Sequence, residues 1–152
     1  MSHIYNQYIS ACQSAYQPCK TSLGNNCNKD VLCELNCRNI KNCVDCLSKI
    51  FRVNHERIYK CFPITYSYVM RFLNVYASEI YHILYDQEKL WNDISNKNIM
   101  SIGCGPATEL IAIERLLRDK KIETPCYYFG FDPNFVWVRV QDLLTQIFYN
   151  NS

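Results

Sequence analysis

Between residues 64 and 86, apolar side chains recur at Tyr66, Val69, Met70, Leu73, Tyr76, Ala77, Ile80, Ile83 and Leu84. Steps of three and four gather these positions on one face of a helix. Pro63 suits the first turn of such a helix, because the amide that proline lacks would have no intrahelical partner there. The stripe is rich in tyrosine, so the helix is expected to pack, with its hydroxyls reaching the rim of the core. Residues 92–98 have the composition of a loop.

The period then changes. Residues 98–102 form a short apolar run that ends at a glycine and predicts a strand. Residues 108–121 predict a helix with Leu110, Ile111, Ile113, Leu116 and Leu117 as its apolar stripe. Thr124-Pro125 breaks the chain, and residues 126–132, rich in β-favouring aromatics, read as a second strand closing on Asp132. A further helix is expected from about residue 135 to residue 149. The order strand, helix, strand, helix implies an α/β fold with a parallel sheet and a right-handed crossover.

Residues 1–61 differ from the rest. They hold eight of the ten cysteines, are rich in asparagine and poor in aliphatics, and carry a turn signal at Gly24-Asn25-Asn26. Short helices and loops that cannot pack a core unaided are the expectation there. The chain thus divides into a mainly helical Cys-rich segment (1–61), a connecting amphipathic helix region (62–96) and the strand-containing unit (97–152).

A length of 152 residues suits one domain, or a domain with a small appendage, and a multidomain machine is not expected within it. With 49% hydrophobic and 20% charged residues, the chain can bury a core and is not intrinsically disordered. The net charge of +2 gives no strong overall field. Residues 1–61 do carry eight Lys or Arg against four acids, while residues 62–96 balance to −2 and residues 97–152 to zero.

No basic stretch followed by an apolar one opens the chain, so no signal peptide is expected and the location is expected to be cytoplasmic. No apolar run approaches the ~18 to 20 residues of a membrane span.

The chemistry suggested by the strand-containing unit centres on Gly103-Cys104-Gly105-Pro106-Ala107, which lies between a predicted strand and a predicted helix. Glycines there allow a tight turn and a close approach to a ligand, and the helix start presents unpaired amides. Asp132 stands 27 residues after Gly105, at the end of the next strand, where a carboxylate can accept from both hydroxyls of a ribose. The dinucleotide fingerprint needs glycine at position 108, which is Thr108, so NAD is disfavoured. A tight turn and a helix cap are the structural alternatives for these two features.

The stretch 102–108 resembles motif I of the class I S-adenosylmethionine-dependent methyltransferases, G-x-G-x-G, with Ala107 in place of the third glycine. Gly130-Phe131-Asp132 resembles the acidic motif that ends the second strand of that family. The resemblance implies a partial Rossmann-like parallel unit in which Gly103, Cys104, Gly105 and Ala107 pack against the methionine and adenosine portions of S-adenosylmethionine, while Asp132 binds its ribose. The methyl acceptor is unknown. Two positions depart from the family pattern: the acid usual two places before the first glycine is Ser101, and Ala107 adds a methyl to the loop.

The family sheet has seven strands, of which residues 97–137 match the first two. The expectation is therefore either the N-terminal part of a longer protein or a reduced relative that has lost its chemistry. One edge of the first strand would be unpaired, inviting a second copy of the chain. No acid, base or nucleophile can be named.

In the N-terminal segment, Cys43 and Cys46 form one tight pair able to hold an ion from a single turn. Zinc takes four thiolate or imidazole ligands and stabilises segments with little core. One set is Cys43, Cys46 and Cys61 with Cys37, Cys33 or His55, and a second is Cys19, Cys27, Cys33 and Cys37. Inert thiols and an iron–sulfur cluster are the alternatives. The C-x3-C-x2-C spacing of radical enzymes does not occur.

The basic excess, with Tyr59 and Phe62 beside Lys60, suggests a nucleic-acid surface, against the simpler reading of a solvated basic face. His82 is expected on a helix surface, Cys104 as a small turn residue, and Trp91 and Trp137 in packing. Two function classes result: a methyltransferase-like protein, and a zinc-stabilised, non-enzymatic module that binds a protein or nucleic-acid partner.

Overall fold

The computed structural model describes residues 3–22, 62–87, 89, 98–122 and 127–151. The elements are helix α1 (His3–Ser22), helix α2 (Phe62–Tyr85), strand β1 (Asn98–Ile102), helix α3 (Thr108–Asp119), strand β2 (Tyr127–Phe131), a 3-10 turn (Phe135–Trp137) and helix α4 (Val138–Asn151). The protein is mixed α/β and mostly helical, with one two-stranded parallel sheet. The register pairs Asn98 with Tyr127, Met100 with Phe129 and Ile102 with Phe131.

Helix α2 forms where its periodicity predicts. It buries Ile64, Tyr66, Val69, Leu73, Ala77 and Tyr81, while Ile83, assigned to the same stripe, is exposed near the C-terminal end. His82 is exposed, as a helix-surface residue should be. The Tyr81 hydroxyl donates to Asp119 at 2.9 Å, which ties the end of α2 to the end of α3. Where α2 and α3 meet, Tyr81 packs with Ala112 and Leu116.

The N-terminal stretch departs from the expectation of short helices and loops. Helix α1 is 20 residues long, and its Tyr8, Cys12 and Tyr16 enter the same core as Val69, Leu73, Ile111, Trp137, Val140 and Leu144. Those three positions step by four, so tyrosine and cysteine serve as the apolar stripe that aliphatics usually supply. Burial raises the Cys12 thiol pKa from an ordinary 9.0 to about 12, which keeps it a neutral core residue. Cys27, Cys33, Cys37, Cys43, Cys46, Cys61 and His55, the Tyr59 to Phe62 stretch up to Cys61, the loop at 92–97, Trp91 and Cys126 all lie outside the described residues.

Helix α3 ends in a Schellman motif. Ile122 donates to the Leu117 carbonyl at 2.8 Å and Lys121 to the Arg118 carbonyl at 3.0 Å. Lys121 sits at φ 56°, the left-handed conformation that this motif requires and that glycine adopts without penalty. The last helix starts differently from its prediction. Asn134 accepts from the Val136 amide, caps a single 3-10 turn, and only then does the chain relax into α4.

Candidate functional site

The glycine turn joins β1 to α3 through three consecutive departures from ordinary backbone. Gly103, Gly105 and Ala107 have φ of 73°, 50° and 58°. At Gly103 and Gly105 this is glycine's natural territory. At Ala107, where the family pattern has a third glycine, the same left-handed geometry is imposed on a residue with a Cβ, at a cost of roughly 1–2 kcal/mol. The Ala107 methyl lies in the core beside Ile111 and Trp137, and that burial, about 0.8 kcal/mol for one methyl, offsets part of the cost.

What holds the turn in place is the end of β2. The Phe131 carbonyl accepts from the amides of both Gly103 and Cys104, at 2.7 and 3.2 Å. Asp132 follows immediately, and its two carboxylate oxygens divide between two partners. Oδ2 accepts from the Gly105 amide at 2.8 Å and Oδ1 from the Asn134 amide at 2.8 Å. The Ala107 amide donates to the Cys104 carbonyl at 2.8 Å, and Pro106 has no amide to donate. Every backbone N–H from 103 to 107 therefore has a partner inside the turn or on the end of β2.

Two side chains brace the loop from outside. Tyr8 of α1 donates to the Pro106 carbonyl at 3.2 Å, and Gln141 of α4 donates to the Gly105 carbonyl at 2.6 Å. Cys104 is buried under the turn. Burial first, and then the charges of Glu109 and Asp132, raise its thiol pKa, the opposite of what a reactive thiolate needs. Cys104 is thus a packed turn residue. Gly130, on β2, is small for a reason: a Cβ there would stand 2.9 Å from the Cys104 sulfur.

In front of the turn lies an open cleft of about 620 Å³, within the range of small-molecule sites. The turn residues 103–106, Thr108 and Glu109 form one side, and Asp132, Asn134, Trp137 and the α2 tyrosines Tyr68 and Tyr76 form the other. Trp137 packs in the core, as expected, and also contributes to this wall, where its ring meets Tyr68 edge-on at 5.4 Å between centroids. A second cavity of about 510 Å³ is bordered by Cys104, Tyr128, Gly130, Gln141 and Thr145, so Cys104 separates the two spaces.

Glu109 is an ionisable cleft residue that the motifs did not identify. From the first turn of α3 its Oε1 accepts from the Tyr128 hydroxyl of β2 at 2.5 Å and from the Ser101 hydroxyl of β1. A carboxylate oxygen therefore stands beside Ser101, the position where the family pattern carries an acid, but it is supplied by the helix. Burial, and then the bond to Glu109, raise the Tyr128 pKa, so the phenol remains a neutral donor. The signal in sequence is faint: an acid in a helix's first turn, two residues beyond Ala107, facing a hydroxyl on each of two paired strands.

The predicted residues Gly103, Cys104, Gly105, Ala107 and Asp132 therefore meet at one turn. Among the described residues the cleft has two carboxylates, three aromatic rings and no Lys or Arg. The amides of residues 103–107 are engaged and no Lys or Arg lines the cleft, so a phosphate would meet two carboxylates with only the uncapped start of α3 to receive it. Donor-bearing or positively charged ligands fit instead, and aromatic walls favour flat rings and cations alike. Among the described residues no group of three or more His, Cys, Asp or Glu is placed to hold a metal, and no helix is long and apolar enough to cross a membrane. Compared with known proteins, the chain matches no family model, no curated protein and no solved structure.

Proposed function

We propose that the chain binds S-adenosylmethionine in the cleft before the glycine turn, as a methyltransferase-like protein built on a partial Rossmann-like unit, with a methyl acceptor still to be found. The observation that carries this reading is the polarity of the site. The amides of the turn are already engaged, Asp132 and Glu109 line the cleft, and no basic side chain among the described residues accompanies them. NAD and ATP both bring phosphates into such a place and are disfavoured. A nucleoside that carries a sulfonium and an ammonium in place of phosphates is suited to it.

Each carboxylate oxygen of Asp132 accepts one amide and retains acceptor capacity for a ribose hydroxyl. Gly103 and Gly105 keep the approach to the turn clear, and Tyr68, Tyr76 and Trp137 offer ring surface to a purine. When bound, S-adenosylmethionine supplies an electrophilic methyl group, and the residues here bind and orient it. Titration of S-adenosylmethionine and S-adenosylhomocysteine into the protein tests the reading, which requires saturable binding near one ligand per chain.

A second reading is favoured by the same clasp. Asp132 has a complete structural role in fastening the glycine turn, so the turn and cleft can serve a non-enzymatic module whose working part is the Cys-rich segment. In that reading Cys43, Cys46 and Cys61 with Cys37, Cys33 or His55 hold zinc, a second set being Cys19, Cys27, Cys33 and Cys37, and the basic excess of residues 1–61 meets a protein or nucleic-acid partner. Metal analysis of purified protein, expected to give at least one zinc per chain, and salt-dependent RNA binding would support it. Metal-free protein that keeps its fold would remove it.

A further inference from the structure

Among the described residues the sheet is covered on one face only. Ile99 and Tyr128 are half-buried on the helical side. On the opposite face the parallel register lines up Met100 with Phe129 and Ile102 with Phe131, with Tyr127 beside Asn98. The five large side chains of this face are between 50% and 80% exposed. At about 200 Å² for a large side chain, they leave on the order of 600 Å² of apolar surface in one patch, at the upper limit of what monomeric proteins show.

We propose that this face seats a second copy of the chain, sheet against sheet, about a twofold axis lying between the two faces. The area supports it, since pairing two such patches removes about 1,200 Å², the lower bound for a specific interface. The chemistry of the face supports it as well. Asn98, Met100, Ile102, Tyr127, Phe129 and Phe131 include no charge, so the patch is complementary to itself and meets no like-charge repulsion when turned on its twin. A net charge of +2 per chain adds little long-range repulsion. Stacked sheets sit ~10 Å apart, a gap that side chains of this size fill by interdigitation. The contact is through the face, not through the open strand edge that the sequence suggests, and it is independent of what the cleft binds.

Sedimentation of the full chain over a wide concentration range tests this, with Phe129→Glu and Ile102→Lys on the face and Ile83→Glu, exposed on α2, as the control. The expected result is a dimer for the wild type and for Ile83→Glu, and a folded monomer for either face variant. Ile102 is so exposed that its replacement leaves the fold of the single chain intact, should Phe129→Glu fail to fold. A monomeric wild type overturns the proposal, including one whose face is covered by its own chain or adsorbs to phosphatidylcholine vesicles instead. A dimer that survives both face substitutions overturns it equally and moves the contact to the strand edge.

Discussion

Replacing Asp132 with alanine removes the one side chain that joins the end of β2 to both the glycine turn and the start of the 3-10 turn. Two hydrogen bonds from backbone amides to a carboxylate are lost, each worth about 1.5–3 kcal/mol when the acceptor is charged. Gly105 is buried, so its orphaned amide incurs the full penalty, whereas Asn134 is only half-buried and water can replace part of its bond. The expected loss is about 2–4 kcal/mol. At roughly 2–4 °C per kcal/mol for a chain of this size, the melting temperature falls by about 5–15 °C. Asp132→Asn keeps one acceptor oxygen and is expected to lose about half as much.

Urea unfolding followed by far-UV circular dichroism, with thermal melts alongside, measures both variants. A loss below about 0.5 kcal/mol for Asp132→Ala, the range of ordinary surface substitutions, would refute the clasp. The same numbers govern how ligand data are to be read. Weakened binding in Asp132→Ala reports a ribose contact only if Asp132→Asn, with its turn largely intact, also binds weakly.

Gly130→Ala places a methyl 2.9 Å from the Cys104 sulfur and 3.0 Å from the Tyr128 ring, so one of them must shift, at an expected cost of about 1–3 kcal/mol in urea unfolding. A neutral result would mean that the thiol swings aside freely and does not pack the turn. Lys121→Gly relieves the left-handed lysine at the end of α3 and is expected to stabilise by about 0.5–1 kcal/mol, or roughly 1–4 °C in thermal melts. A destabilised variant would show that Lys121 does not hold that conformation in solution.

Much of the strand-containing unit was legible because its signals are local. β1 runs over the predicted residues 98–102, since its β pattern stops at Gly103, and α3 begins at Thr108 as expected and ends two residues early, at Asp119, where the Schellman motif takes over. Asp132 was identifiable from its position after the aromatic strand. Its hydrogen bond to Gly105 was not, because no residue pattern encodes the direction in which a turn's amides point. Helix α1 was obscured by composition: Tyr8, Cys12 and Tyr16 do the work of leucines, and a cysteine in a Cys-rich stretch reads as a ligand before it reads as core. The bond from Tyr8 to the Pro106 carbonyl spans 98 residues and leaves no periodic trace. Glu109 was missed because its partners, Ser101 and Tyr128, come together only once the two strands pair.

The cleft before residues 103–107 is proposed to take a nucleoside bearing positive charge and not one bearing phosphate. Isothermal titration of folded, full-length protein with S-adenosylmethionine, NAD and ATP in parallel tests it most directly. Saturable binding of S-adenosylmethionine near one per chain is expected, and none of the other two. Binding of NAD or ATP, or no binding of any of the three, would contradict it and leave the glycine turn as a structural joint between β1 and α3.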